Sequence, residues 1–402
     1  MEDKKIIKLT EDVSWVGVLD RDIVTFDVVM ETEYGTTYNA YFINADKKTL
    51  VETAKERFWP VYKDKIKQLV DPAEIEYIVL NHTEPDHSGS LKHLLELAPN
   101  ATVVGTGQAI KYLNEIVGAP FRYKTVKNGD TLDLGNKTLR FIGAPNLHWP
   151  DTMYTWLEDD KILFTCDSFG AHYCSDEMID SKVDQQAYDD AFKYYFDVIL
   201  LPFSKFMIKA IDKIRDLDIN IIAPGHGPIL RDNWKEKVDK SASYAREYLD
   251  NTTHDKPKAL ITFVSAYGYT REMAEYIAEG IKESGIETEL LDIEHILPGD
   301  LDSKIVQADA LLIGCPTINQ NILLPVYRMF AVINPIRDKS KTAAAFGSYG
   351  WSGEGVKIMQ SVLSELKLKT PMEPLAMKFR PNDENIETLK AYGRRFAEAM
   401  SR

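Results

Sequence analysis

The sequence predicts an α/β protein in two parts, a mixed α/β sandwich followed by a doubly wound parallel sheet. Three observations lead there. Strand-like and helix-like segments alternate regularly after Pro257, the pattern of a parallel sheet. Before that point, many short β-like runs are mixed with helices. Between them lies the polar, proline-containing stretch DNTTHDKPK, Asp250–Lys258. A chain of 402 residues also suggests more than one domain, at roughly 150 residues each. The expected division is 1–250, a linker at 251–256, and 257–402.

In the first part the β-like runs are Trp15–Val18, Ile23–Val29, Thr37–Ile43, Tyr77–Leu80, Thr102–Gly105, Thr138–Ile142, Met153–Leu157, Ile162–Thr165 and Ile219–Ala223. Leu91–Leu97 and Asn233–Leu249 read as helices. In the second part Ala259–Val264 is a strand. Met273, Ile277 and Ile281 then recur at helical spacing. Strands at Glu287–Leu291, Ala308–Ile313 and Thr342–Phe346 follow. They alternate with helices at Leu323–Val332 and Val356–Leu366. A weak strand near Leu375 and a helix over Ile386–Met400 close the chain.

Composition excludes several classes. With 44% hydrophobic and 27% charged residues, the chain has the make-up of a soluble globular protein. No run approaches the roughly 18 apolar residues that suggest a membrane span. The opening MEDKKIIKLTEDVSW lacks an apolar signal segment. Only Cys166, Cys174 and Cys315 are present, which fits a cytoplasmic protein better than a disulfide framework. It leaves no CxxC pair for a built-in iron-sulfur donor. The net charge of −14 argues against nucleic acid. From Pro257 onward 17 Lys+Arg face 19 Asp+Glu, so the first 256 residues carry −12.

The densest chemistry is in NHTEPDHSGS, Asn81–Ser90. His82, Glu84, Asp86 and His87 follow a buried strand, a common place for a site in α/β sheets. His82 and Glu84 could serve one metal, and Asp86 and His87 a second. Three more donors follow strands: His148 in APNLHWPD, Asp167 in TCDSFG and His226 in APGHGP. Singly, each has an ordinary explanation as a turn histidine or a helix cap. Together, seven such residues point to a two-metal centre. His172 is either a neighbour of that centre or a packing residue. His93, His254 and His295 are expected to have no part in it.

Three loops in the second part suit a phosphate-bearing cofactor. Ser265, Ala266, Tyr267, Gly268, Tyr269 and Thr270 join a strand to a helix N-terminus, where backbone N–H groups bind phosphate. The loop lacks both the P-loop lysine and the dinucleotide G-x-G-x-x-G pattern. Pro316, Thr317, Ile318 and Asn319 follow the third strand. Ser348, Tyr349, Gly350, Trp351 and Gly353 follow the fourth. Trp351, with Tyr349 or Tyr267, could cover a flat ring.

The order H-x-E-x-D-H, then His, Asp and His, resembles the metallo-β-lactamase superfamily. Its hydrolases carry a histidine where Glu84 stands. That exchange, together with S-x-x-G-x-T at Ser265–Thr270, resembles the flavodiiron proteins (A-type flavoproteins) over essentially the whole chain. The resemblance implies a metallo-β-lactamase-like αββα sandwich joined to a flavodoxin-like domain, with two irons and FMN. It implies His82, Glu84 and His148 on one iron, Asp86, His87 and His226 on the other, and Asp167 bridging. A carboxylate at position 84 agrees with a redox metal, being a harder ligand than imidazole and better suited to ferric iron. The resemblance further implies reduction of O2 to water, of NO to N2O, or both. Electrons would come from an external donor, rubredoxin or a reduced deazaflavin coenzyme, and the assembly would be a head-to-tail homodimer or a dimer of dimers. The readings weighed against this one are a zinc hydrolase fused to a flavodoxin and an electron-transfer module with a degenerate metal domain.

Overall fold

The computed structural model describes residues 5–27, 30–252 and 256–401. The chain forms two compact units, Met1–Tyr248 and Leu249–Arg402. His254 and part of the 251–256 segment lie outside the described residues. So do residues 28 and 29 of the expected Ile23–Val29 strand.

The first unit is the expected sandwich of two sheets between helices. One sheet has seven strands, in the order Ile7–Lys8, Val13–Trp15, Tyr41–Ile43, Lys48–Val51, Ile75–Val79, Thr102–Thr106 and Arg122–Val126. The other has five: Thr131–Asp133, Thr138–Gly143, Met153–Leu157, Ile162–Cys166 and Ile221–Pro224. Val51, Val79 and Val104 from the first pack with Phe141, Leu157 and Phe164 from the second. The outer face of the seven-stranded sheet is covered by the helices Trp59–Leu69, Leu91–Leu97 and Gly107–Val117. That of the five-stranded sheet is covered by Gln185–Tyr195, Ser204–Ile214 and Trp234–Asn251. Helix starts follow local chemistry: Thr106 and Asp184 accept the N–H groups of Ala109 and Ala187.

Two expected strands are each divided. Trp15–Val18 separates into Val13–Trp15 in the large sheet and Val18–Asp20 in a two-stranded ribbon. Thr37–Ile43 separates into Thr36–Tyr38 in that ribbon and Tyr41–Ile43 in the large sheet. The chains cross at Gly17, where a Cβ would stand 2.4 Å from the Tyr38 carbonyl oxygen.

The second unit is a five-stranded parallel sheet in the order Glu287–Asp292, Lys258–Phe263, Ala310–Gly314, Thr342–Tyr349 and Leu375–Lys378. Ala310–Gly314 is buried throughout, as a central parallel strand must be. The strand order reverses between Lys258–Phe263 and Ala310–Gly314. In doubly wound sheets, ligands bind at the carboxyl ends of the strands beside such a switch. The helices Tyr269–Glu283 and Asp383–Met400 pack closely on one face. A Cβ at Gly393 would stand 2.2 Å from the Ile277 carbonyl oxygen. Among the described residues no helix is long and apolar enough to cross a membrane.

Candidate metal centre and phosphate loop

All seven expected metal donors meet at one edge of the sandwich. His82, Glu84, Asp86 and His87 come from the turn after Ile75–Val79 in the seven-stranded sheet. His148, Asp167 and His226 come from loops of the five-stranded sheet. The donors form two sets. Glu84 Oε2 lies 3.2 Å from His82 Nε2 and 3.1 Å from His148 Nε2. Asp86 Oδ2 lies 3.4 Å from His87 Nε2 and 3.1 Å from His226 Nε2. Asp167 faces both. Its Oδ2 is 3.5 and 3.4 Å from His82 and His148, and its Oδ1 is 3.0 and 3.5 Å from His87 and His226. Ligands at about 2.0–2.2 Å from a shared ion stand roughly 3–3.5 Å apart. The spacing therefore fits two metals with one carboxylate between them.

The electrostatics agree. Burial opposes charge on these imidazoles, but the carboxylates outweigh it. His82 is held up to about 10 by Asp151, Glu84 and Asp167. His87 is held up to about 10 by Asp86 and Asp167. His148 is held up to about 10 by Asp167 and Glu84. Burial would raise Asp167, yet His87, His148 and His82 keep it well below the usual carboxylate range. Both Asp86 oxygens and Asp167 Oδ2 are buried without a hydrogen bond. Buried carboxylates are paired or coordinate metals, and these oxygens keep lone pairs that fit a metal ion.

His172 stands beside the centre, its ring centroid 5.2 Å from that of His226. Its Nδ1 meets Thr36 Oγ1 at 2.9 Å and its Nε2 is buried without a partner. Burial and the charge of His226 hold its pKa well below 6.5, so it stays neutral. His93 pairs with Glu56 and stacks on Trp59, and His295 pairs with Glu294 at the surface.

Sequence reading missed Asp151. It is fully buried and places both carboxylate oxygens 3.3 Å from His82 Nδ1. It also accepts the Thr83 N–H and hydroxyl, each at 2.8 Å. Its position three residues after His148 was the only local signal. Asn39 was missed as well. Its amide donates to the carbonyls of Pro224 and Gly227, each at 2.9 Å, and so pins the turn that carries His226.

In the second unit the three expected loops converge at the carboxyl ends of adjacent strands. Thr270 Oγ1 and Ser348 Oγ are 2.9 Å apart, and the Thr317 N–H donates to the Ser348 carbonyl at 2.9 Å. Gly268, at φ +83°, precedes the helix Tyr269–Glu283 and offers no capping side chain. First-turn N–H groups thus remain for an anion, except that of Arg271, which Ser265 Oγ accepts at 3.2 Å. Pro316, Ile318 and Asn319 form the neighbouring turn, with Asn319 at φ +55°. Ala266 and Tyr267 are exposed on the loop. Gly350 and Gly353 lie against Phe379 and Tyr349 respectively. Tyr267 and Trp351 present open aromatic faces, 78% and 82% exposed. Phe379 is a further exposed aromatic at this end, its N–H bonded to the Tyr349 carbonyl at 2.8 Å.

Residues 36–227 match the family described as ODP family beta lactamase, and residues 261–392 match flavodoxin. The chain is 41% identical to the flavo-diiron protein FprA2 of Clostridium acetobutylicum, covering 98% of this chain and 99% of that protein. It is 35% identical to a nitric oxide reductase of Moorella thermoacetica, over 98% and 99%. Its fold superposes on rubredoxin oxygen:oxidoreductase from Desulfovibrio gigas with a TM-score of 0.69, at 29% identity and 99% coverage of both chains. With these relatives matching end to end, and with both donor sets present, the chain belongs to the flavodiiron protein family.

Proposed function

We propose that this protein is a cytoplasmic oxidoreductase that reduces O2 to water, NO to N2O, or both, using a di-iron centre and FMN. The observation that carries the reading is Asp167, whose two oxygens face two separate His/His/carboxylate sets. When bound, the irons supply adjacent coordination positions and two electrons, and FMN supplies two more.

The chain's own residues set the conditions. His82, Glu84 and His148 would hold one iron, Asp86, His87 and His226 the other, with Asp167 shared. Asp151 and the Thr37 carbonyl, 2.5 Å from His226 Nδ1, orient two of the imidazoles. His172, held neutral, can offer a hydrogen bond without adding positive charge. For FMN, the loop Ser265–Thr270 would take the phosphate, with Pro316–Asn319 and Ser348–Gly353 beside the ring. The relatives named for nitric oxide reduction and for rubredoxin-linked oxygen reduction support the gases and rubredoxin as donor. A head-to-tail homodimer, implied by the family resemblance, belongs to the same proposal.

The test is gas consumption by anaerobically purified protein, with rubredoxin, its reductase and NADH, run in parallel with O2 and NO. Two irons and one FMN per chain with donor-dependent uptake is the expected result. Stoichiometric zinc and no uptake of either gas would overturn the reading.

A further inference from the structure

A histidine bound to a metal through one ring nitrogen needs an acceptor on the other, because that second bond fixes tautomer and ring plane. His82 has Asp151, and His226 has the Thr37 carbonyl. For His87, Nε2 faces Asp86 and Asp167, while Nδ1 is buried without a hydrogen bond. A carboxylate oxygen of Glu52, a ring nitrogen of His87 and the Cys166 sulfur lie within 4.8 Å of one another. With Nε2 committed to the metal side, Nδ1 is the nitrogen left for this trio.

Glu52 follows the strand Lys48–Val51 and is 1% exposed. Its Oε1 accepts the Asn81 N–H at 3.0 Å, while its Oε2 is buried without a partner. Its backbone sits at φ +63°, a region costly for a residue with a side chain. The next residue, Thr53, donates its N–H at 2.8 Å and its hydroxyl at 2.6 Å to the His87 carbonyl. One dipeptide thus bonds the backbone of His87 and places a carboxylate near its ring. Cys166 is the weaker candidate of the trio, since a thiol is a poor acceptor beside a carboxylate.

We infer that Glu52 is the positioning residue of His87: its free oxygen accepts Nδ1–H, so that Nε2 keeps its lone pair for the metal. The inference rests on the two-metal reading above. Glu52→Gln tests it by inverting the tautomer. The Asn81 N–H keeps the amide oxygen on its own side, so the NH2 group faces Nδ1, and the ring proton is driven to Nε2.

The experiment strips the full chain of metal and titrates it anaerobically with Co2+, followed by ligand-field absorption. Wild type should bind two equivalents. Glu52→Gln should keep one site unchanged and weaken the other about 10–100-fold. Glu52→Asp, one methylene shorter but still a carboxylate, should weaken the same site by less. Cys166→Ala should leave both intact. Two wild-type affinities in Glu52→Gln would overturn the inference, as would selective weakening in Cys166→Ala in its place. If Glu52→Gln fails to fold by circular dichroism, Glu52→Asp decides, and unchanged affinities there overturn the inference. Failure of wild type to bind two Co2+ would instead refute the metal-centre reading.

Discussion

Replacing Glu84 by histidine restores the hydrolase pattern H-x-H-x-D-H in an otherwise intact site. Glu84 Oε2 sits 3.1–3.2 Å from two imidazole nitrogens of its set, so the substitution removes a full negative charge from the donors proposed for one iron. Unit charges about 4 Å apart interact by about 4 kcal/mol at an effective dielectric constant near 20. Ferric iron carries one more positive charge than ferrous, so losing the carboxylate favours the reduced state by that amount. At 59 mV for each tenfold, the potential rises by roughly 170 mV. Imidazole also suits zinc, so the variant should accept zinc more readily when both metals are offered. FMN should stay bound and reducible, because its loops belong to the other unit. The assay is a redox titration of the metal centre, with metal content and gas uptake measured on the same sample. Two retained irons, a potential within about 30 mV of wild type and normal turnover would refute the reasoning.

Further outcomes follow from other contacts. Asp151→Asn should weaken metal binding about 10–100-fold by disturbing the His82 tautomer, read by chelator competition; wild-type affinity would count against it. Ser265→Ala with Thr270→Ala should weaken FMN binding, each lost bond to a charged group being worth roughly 1.5–3 kcal/mol, read by flavin fluorescence, with metal content unchanged. Gly393→Ala places a methyl group where only 2.2 Å separates it from the Ile277 carbonyl oxygen. It should lower the stability of the second unit by about 1–3 kcal/mol, as overpacking does, seen as an earlier calorimetric transition. In metal-free protein, His82, His87 and His148 are held up to about 10, above the ordinary 6.5. A metal must displace these protons, so its apparent affinity should strengthen as pH rises between those values. The same shift stabilises the metal-free fold fully below about 6.5, a contribution lost as pH rises through about 10. A pH-independent affinity would contradict the assignment.

The donor residues were legible because chemistry and topology coincide in the chain: four of them crowd into His82–His87, and the others each follow a strand. The flavodoxin-like part was legible because buried parallel strands read as continuous apolar runs. The residues that orient the donors were not. Asp151 and Glu52 acquire their roles only when remote segments meet, and a solitary carboxylate looks the same in sequence whether it caps a turn or holds an imidazole. The divided strands were missed for a similar reason. Gly17 looks like an interruption only once the Tyr38 carbonyl is known to pass 2.4 Å from where its side chain would be.

Neither donor set belongs to one sheet. His82 and Glu84 reach His148 across the sandwich, and Asp86 and His87 reach His226 in the same way. A half-built sandwich would offer either metal at most two terminal donors, from the seven-stranded sheet, or one, from the five-stranded sheet. On the two-metal reading, full coordination of either ion would require both sheets to be in place, and bound ions would then tie the sheets together. Iron supply would then govern the protein's lifetime as well as its chemistry. Chains made under iron starvation would hold the joint only by histidine–carboxylate pairs, and this edge of the sandwich would be the first place for heat or a protease to open.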